Sequence, residues 1–264
     1  MEKNIYNSKM LILKIVIAAW LICLSTILLQ CSGNDNGIKP DSYGQWMKKN
    51  QSDWPQITMI NQIEYTDNHH PIAGCGFLLD TGDEILAATA KHILVYFKSD
   101  SMESVSFKNS LRLWKMFPKD NPDDAVVVDK LINENPDEPL EKIPPEKDWL
   151  LFTIKNRSDN IQPLKFRTSP MKEGETVYII GWRYSDKDCP QVVYEGNFVR
   201  QEEGSFLITT KKLSDNTMPG LSGSPVIDSK GYLIGLMSQK AGRMERPSSI
   251  DFPRMLLEKR AANK

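Results

Sequence analysis

Between residues 56 and 238 the chain is a succession of short apolar runs cut by turn residues, and this rhythm restricts its possible folds more than any other feature. The runs read ITMINQIEY, GCGFLLD, EILAATA, DWLLFTI, TVYIIGW, QVVYEGNFV, SFLITT, SPVID and YLIGLMS. They are rich in β-branched and aromatic side chains, with glycine, aspartate or proline between them, which is the pattern of an all-β fold, a sandwich or barrels. Helical spacing is convincing only in PRMLLEKRAANK, where Met255, Leu256 and Leu257 fall, so one terminal helix is expected over about 253–262. The stretch 100–147 is denser in charge and proline (NPDD, NENPDEP, IPPEK). It predicts an insertion of long surface loops around one or two short strands, VSFKNSLRLW and AVVVDKLI. A second break, TSPMKEGE at 168–175, falls midway and predicts two β lobes, about 56–168 and 169–253.

The first thirty residues follow another logic. Lys3, Lys9 and Lys14 precede an uncharged apolar segment, IVIAAWLICLSTILL at 15–29, as long as the apolar part of an export signal and short for a spanning helix. The segment ends in LLQC, and Cys31 is followed by the polar run SGNDNG. This resembles a bacterial lipoprotein signal, which implies that Cys31 is lipidated; ordinary cleavage and an uncleaved membrane anchor stand beside that reading. Residues 1–30 are thus expected as signal or anchor, 31–55 as a flexible tether, and 56–264 as the folded domain outside the cytoplasm. The formal charge of −1 has no long basic run behind it, and loss of Lys3, Lys9, Lys14 and Glu2 would leave −3, so no nucleic-acid partner is implied. Past Cys23 and Cys31, only Cys75 and Cys189 remain, as a disulfide or as two buried thiols. Neither CxxC nor HExxH spacing occurs, so no metal site is expected.

The chemistry of the chain concentrates in GLSGSPVID at 220–228. Gly220 and Gly223 around Ser222 could serve a tight turn alone, since glycine accepts backbone angles that other residues do not. They could equally aim backbone N–H groups at an oxyanion, with Ser222 as nucleophile. A base is then needed, and the chain has three histidines. His69 and His70 sit in the polar stretch TDNHHP, a solvated loop by its composition; His92 follows the strand-like EILAATA and opens HILVYF. For the carboxylate that orients the base, Asp148 precedes LLFTI, while Asp123 and Asp124 precede AVVVD.

Together, GCGFLLDTGDEILAATAKH, DWLLFTI and PGLSGSPVID resemble the trypsin-like serine peptidases, particularly the compact bacterial ones related to the HtrA group. The resemblance spans about 57–253, and its motifs come in the order His, Asp, Ser. It implies two six-stranded β-barrel lobes, a catalytic triad of His92, Asp148 and Ser222, and an oxyanion hole built by the amides of Gly220 and Ser222. It also implies a substrate pocket with Asn216 at its base and Ser238, Gln239 and Lys240 along its wall, peptide or protein substrates, and no cofactor. Asp148 is favoured over Asp123 and Asp124 because QPLKF and EGETVYIIGW continue from it into the second lobe. The chain departs from the family at Lys91, Leu221 and Ser224, and Ile93 stands where digestive members carry a cysteine. It ends too soon after the last strand for a PDZ domain. The alternative is a catalytically silent binding module of the same fold on the cell surface; an esterase is disfavoured because GLSGSP is not a GxSxG elbow.

Overall fold

The computed structural model of the protein describes residues 43–141, 143–186, 191–211, 213 and 219–263. The segment read as an export signal or anchor, Cys31, Cys189 and Asn216 lie outside the described residues. The first half of the domain carries strands β1 (Thr58–Tyr65), β2 (His69–His70), β3 (Cys75–Asp80), β4 (Ile85–Thr89), β5 (Ser104–Val105), β6 (Leu111–Phe117), β7 (Val126–Leu131), β8 (Asn135–Pro139), β9 (Leu150–Asn156) and β10 (Leu164–Lys165). Six of these close a ring in the order β1-β3-β4-β9-β7-β6, sealed by the antiparallel pair β1–β3, in which Thr58 faces Phe77. Strands β2 and β10 attach to this ring, and β5 pairs with β8 as a separate two-stranded sheet.

Two staves of this barrel come from the stretch predicted as surface insertion. In β6, Trp114 and Met116 are buried and Lys115 between them is more open; in β7, Val126 and Val128 are buried. This is the period-two alternation of a stave whose outer face carries charge, so polar composition did not mean exposure of the whole segment. Trp114 packs against Phe152 at 4.8 Å and donates its indole N–H to Asn61 Oδ1 at 2.9 Å.

The second barrel closes as β11 (Thr176–Gly181), β12 (Val192–Glu202), β13 (Ser205–Thr210), β16 (Met244–Ser249), β15 (Leu233–Ala241) and β14 (Pro225–Asp228). The chain crosses between barrels at 164–166: Leu164 pairs in parallel with Leu79, and Phe166 bridges Leu233. The core of the first barrel runs on across the seam to Ile180, Ile227, Leu233 and Leu236 of the second. The lobes are therefore joined by buried apolar surface. Among the described residues, two α-helices complete the domain, a single-turn α1 (Ile93–Tyr96) and the terminal α2 (Asp251–Ala262).

The flexible tether expected over 31–55 is folded from Tyr43 onward. Trp46 meets Trp54 edge-on at 5.1 Å, Trp54 meets Tyr178 at 5.3 Å, and the Tyr43 hydroxyl donates to Gly231 O and accepts from Lys165 N. Three large rings in so short a segment gain more by burial than by staying in water.

Candidate active site

Strand β4 ends at Thr89 and the chain turns through Ala90 and Lys91 into His92, which caps the first turn of α1. Asp148 follows a 3-10 turn at Pro145–Lys147 and precedes β9. Its side chain is only 1% exposed. His92 Nδ1 lies 2.7 Å from Asp148 Oδ2, and the His92 amide donates to Asp148 Oδ1 at 2.7 Å. The opposite ring nitrogen, Nε2, lies 2.7 Å from Ser222 Oγ. A carboxylate accepts only, so Nδ1 carries the proton facing Asp148 and Nε2 is left as the acceptor toward Ser222.

The loop under Ser222 uses both of its glycines. Gly220 has φ +107° and Gly223 φ +82°, conformations that side chains oppose, and a Cβ on Gly223 would stand 2.2 Å from Cys75 O. Cys75 N donates to Ser222 O at 2.7 Å and Gly223 N to Met237 O at 2.9 Å, which stitches the loop to both barrels. Pro219 O accepts from Tyr184 N at 2.8 Å. Because a trans peptide points its C=O and N–H oppositely, that bond turns the Gly220 N–H away from Tyr184. Among the described residues, neither the Gly220 nor the Ser222 amide donates a hydrogen bond.

Of the site residues read from the sequence, His92, Asp148, Ser222 and Gly220 converge. Ser238 makes a contact beyond the one expected of it: its Oγ donates to Asp148 Oδ2, so the hydroxyl serves the carboxylate. Gln239 is exposed on β15, and Lys240 pairs across to Glu245 of β16. The rivals fall away. Asp124 accepts from Ser158 and Asn160 in a surface turn, Asp123 is exposed, and His69 and His70 lie on β2, with no bond to Ser222. Cys75 is a free, buried thiol whose Sγ lies 3.3 Å from Gly220 O, and burial pushes its pKa up to about 11.

Sequence reasoning missed Tyr184, which reaches the site through its backbone amide and, by its hydroxyl, accepts from Gly74 N at 3.3 Å. No residue pattern marks a contact made by a main-chain amide. The structure also makes something of Lys91: its side chain is fully buried, with Nζ 2.7 Å from Glu138 Oε1 and 5.4 Å from the centre of the Phe252 ring.

The model of the family described as "Trypsin-like peptidase domain" matches residues 74–236, more than half of the chain. The chain belongs to this family. Among solved structures, this trypsin-like peptidase domain is similar to the active form of the Rv3671c protease from M. tuberculosis, at 14% identity and TM-score 0.51, over 78% of this chain and 81% of that one. The inactive form of the same protease aligns at 14% identity and TM-score 0.47, over 78% of this chain and 87% of that one. A comparison with curated protein sequences returned no match. Family membership makes the chain a peptidase by class, and its substrates peptides or proteins. Among the described residues no helix is long and apolar enough to cross a membrane.

Proposed function

We propose that this chain is an exported serine endopeptidase, held to the cell envelope by its N-terminal segment or a lipid on Cys31, that cleaves peptide bonds through an acyl-enzyme on Ser222. The observation that carries the reading is the unbroken line Asp148, His92, Ser222, each contact 2.7 Å, beside two amides that donate to no other group among the described residues. A serine hydroxyl is a weak nucleophile until a base takes its proton, and His92 Nε2 stands where it can do so.

In the forward step Ser222 Oγ attacks the substrate carbonyl while its proton passes to Nε2. The new oxyanion is met by the Gly220 and Ser222 amides, each such donor worth about 3 kcal/mol in related sites. Asp148 keeps the ring oriented and stabilises the imidazolium. Nε2 then gives the proton to the departing amine, leaving Ser222 esterified; water, activated by the same nitrogen, releases the acid and restores the serine. Export is supported by the lysines and apolar segment of the first thirty residues.

Reaction with a fluorophosphonate probe tests the reading against a silent binding module. The wild type should be labelled on Ser222, and Ser222→Ala and His92→Ala should lose nearly all labelling. Equal labelling of all three proteins would refute the enzyme and leave the binding module.

A further inference from the structure

Beside Ser222 lies a cleft of about 290 Å³ that the proposed chemistry does not itself use. Its walls are Ile60, Ile72, Phe97, Trp182 and Tyr184, with Gly74 and Gly220 at the neck nearest the nucleophile. A Cβ on Gly74 would stand 2.7 Å from Ser222 O and 3.5 Å from Ser222 Cβ, so the glycine lets this wall of the cleft pack directly on the nucleophile loop. At that volume, near the lower bound of small-molecule pockets, the space suits one large side chain.

Two of the five exposed large apolar residues among those described line this cleft. The exposed large apolar residues among those described are Ile72, Val95, Tyr96, Tyr184 and Met255. Ile72, 44% exposed, and Tyr184, 48% exposed, line the cleft, while Val95 and Tyr96 lie on α1, which His92 caps and Phe97 follows. Exposed apolar groups that cluster at a concave site mark a surface that something covers. At the rim, Lys119 Nζ donates to Asp186 O, and the Arg183 guanidinium holds Asp186 Oδ1 at 2.6 Å. That sets two cations against one carboxylate, and so repels a positive side chain.

Resting on the peptidase reading above, we infer that this cleft receives a large apolar side chain from the residue that follows the scissile bond, and that its cationic rim disfavours lysine or arginine there. The side of the bond follows from the walls. Ser238, Gln239 and Lys240 contribute nothing to the cleft, so it is a different place from the pocket expected along that stretch. The element that carries the proton donor to the leaving amine, His92 with α1, leads directly to the cleft wall at Phe97. Tyr184 adds rigidity, since its amide holds Pro219 O and its hydroxyl holds Gly74 N. One well-buried side chain discriminates by roughly ten- to two-hundredfold in such pockets.

The test is a digest of a denatured mixture of proteins of known sequence by the full chain, with new N-termini read by mass spectrometry and cuts made by Ser222→Ala subtracted. Leu, Ile, Phe and Met should be enriched at the new N-terminus on the order of tenfold over Gly and Ser, with Lys and Arg depleted. Ile72→Glu, an exposed substitution, should admit Lys and Arg, and Lys119→Glu should relieve their depletion independently. Cleavage with no apolar bias after the cut, or a bias unchanged in both folded variants, overturns the inference while the peptidase stands. A wild-type digest identical to that of Ser222→Ala removes the peptidase reading, and the inference falls with it.

Discussion

At the level of single residues, the decisive group after the three proposed catalytic ones is Ser238. Asp148 is almost wholly buried, and its two oxygens collect the His92 amide, His92 Nδ1 and the Ser238 hydroxyl. Buried carboxylates need their lone pairs filled, and a hydrogen bond to a charged group is worth about 1.5–3 kcal/mol. Ser238→Ala should lower kcat roughly tenfold, since about 1.4 kcal/mol corresponds to one decade. KM should change little and Ser238→Thr should restore most of the rate; a fully active alanine variant would leave the hydroxyl a bystander. Cys75 makes a contrasting case. Its thiol is pushed up to about 11 by burial and lies beneath the Gly220 carbonyl, so almost none of it is thiolate at neutral pH. Mass mapping after iodoacetamide treatment should find the Cys75 peptide unmodified in native protein and fully modified in denaturant.

At the level of elements, the segment between β4 and α1 is braced from outside the barrel. Lys91 spans from the residue before His92 to Glu138 on β8 and to Phe252 on α2. The charge is tolerable in the interior only because Glu138, 19% exposed, meets it at 2.7 Å. Removing one partner of a buried pair leaves the other unmatched, whereas replacing both by apolar groups is often neutral. Lys91→Met should therefore destabilise the fold by about 1–3 kcal/mol, and Lys91→Met with Glu138→Leu should recover much of that loss in a urea-unfolding double-mutant cycle. Purely additive effects would show that the pair is not coupled.

At the level of the whole molecule, the two barrels must stay in register, because His92 and Asp148 belong to the first and Ser222 to the second. Arg167, just past the crossover, pairs with Glu175 at 2.7 Å and Asp228 at 3.1 Å. Its hydrogen bond to Glu175 holds that carboxyl below its usual 4.5. A carboxyl depressed in the folded state contributes stability above its unfolded value and loses it as pH falls through the folded one. Arg167→Met should thus lower Tm at neutral pH, and the gap to wild type should narrow on acidification below 4.5. Thermal melts across that range check it, and a gap constant with pH would exclude the ion pair as its source.

Local patterning was enough for the all-β architecture and the short terminal helix, because strand alternation and turn glycines are written in neighbouring residues; His92, Asp148, Ser222 and Gly220, which the fold brings together, were proposed through the family resemblance and the order of its motifs. Patterning placed short strands at β6 and β7 but assigned them to a looped insertion and not to the barrel, because their outward charges resemble loop composition, and it overlooked β16, whose MERPSS has no apolar alternation and holds its place by barrel closure. It could not see Ser238 turned to Asp148, the Tyr184 amide holding Pro219 O, or Lys91 reaching Glu138. Those contacts join residues 35 to 90 positions apart: 35 for Tyr184 with Pro219, 47 for Lys91 with Glu138 and 90 for Ser238 with Asp148. Their partners are chosen by how two closed barrels pack, and no short-range preference of the chain encodes that.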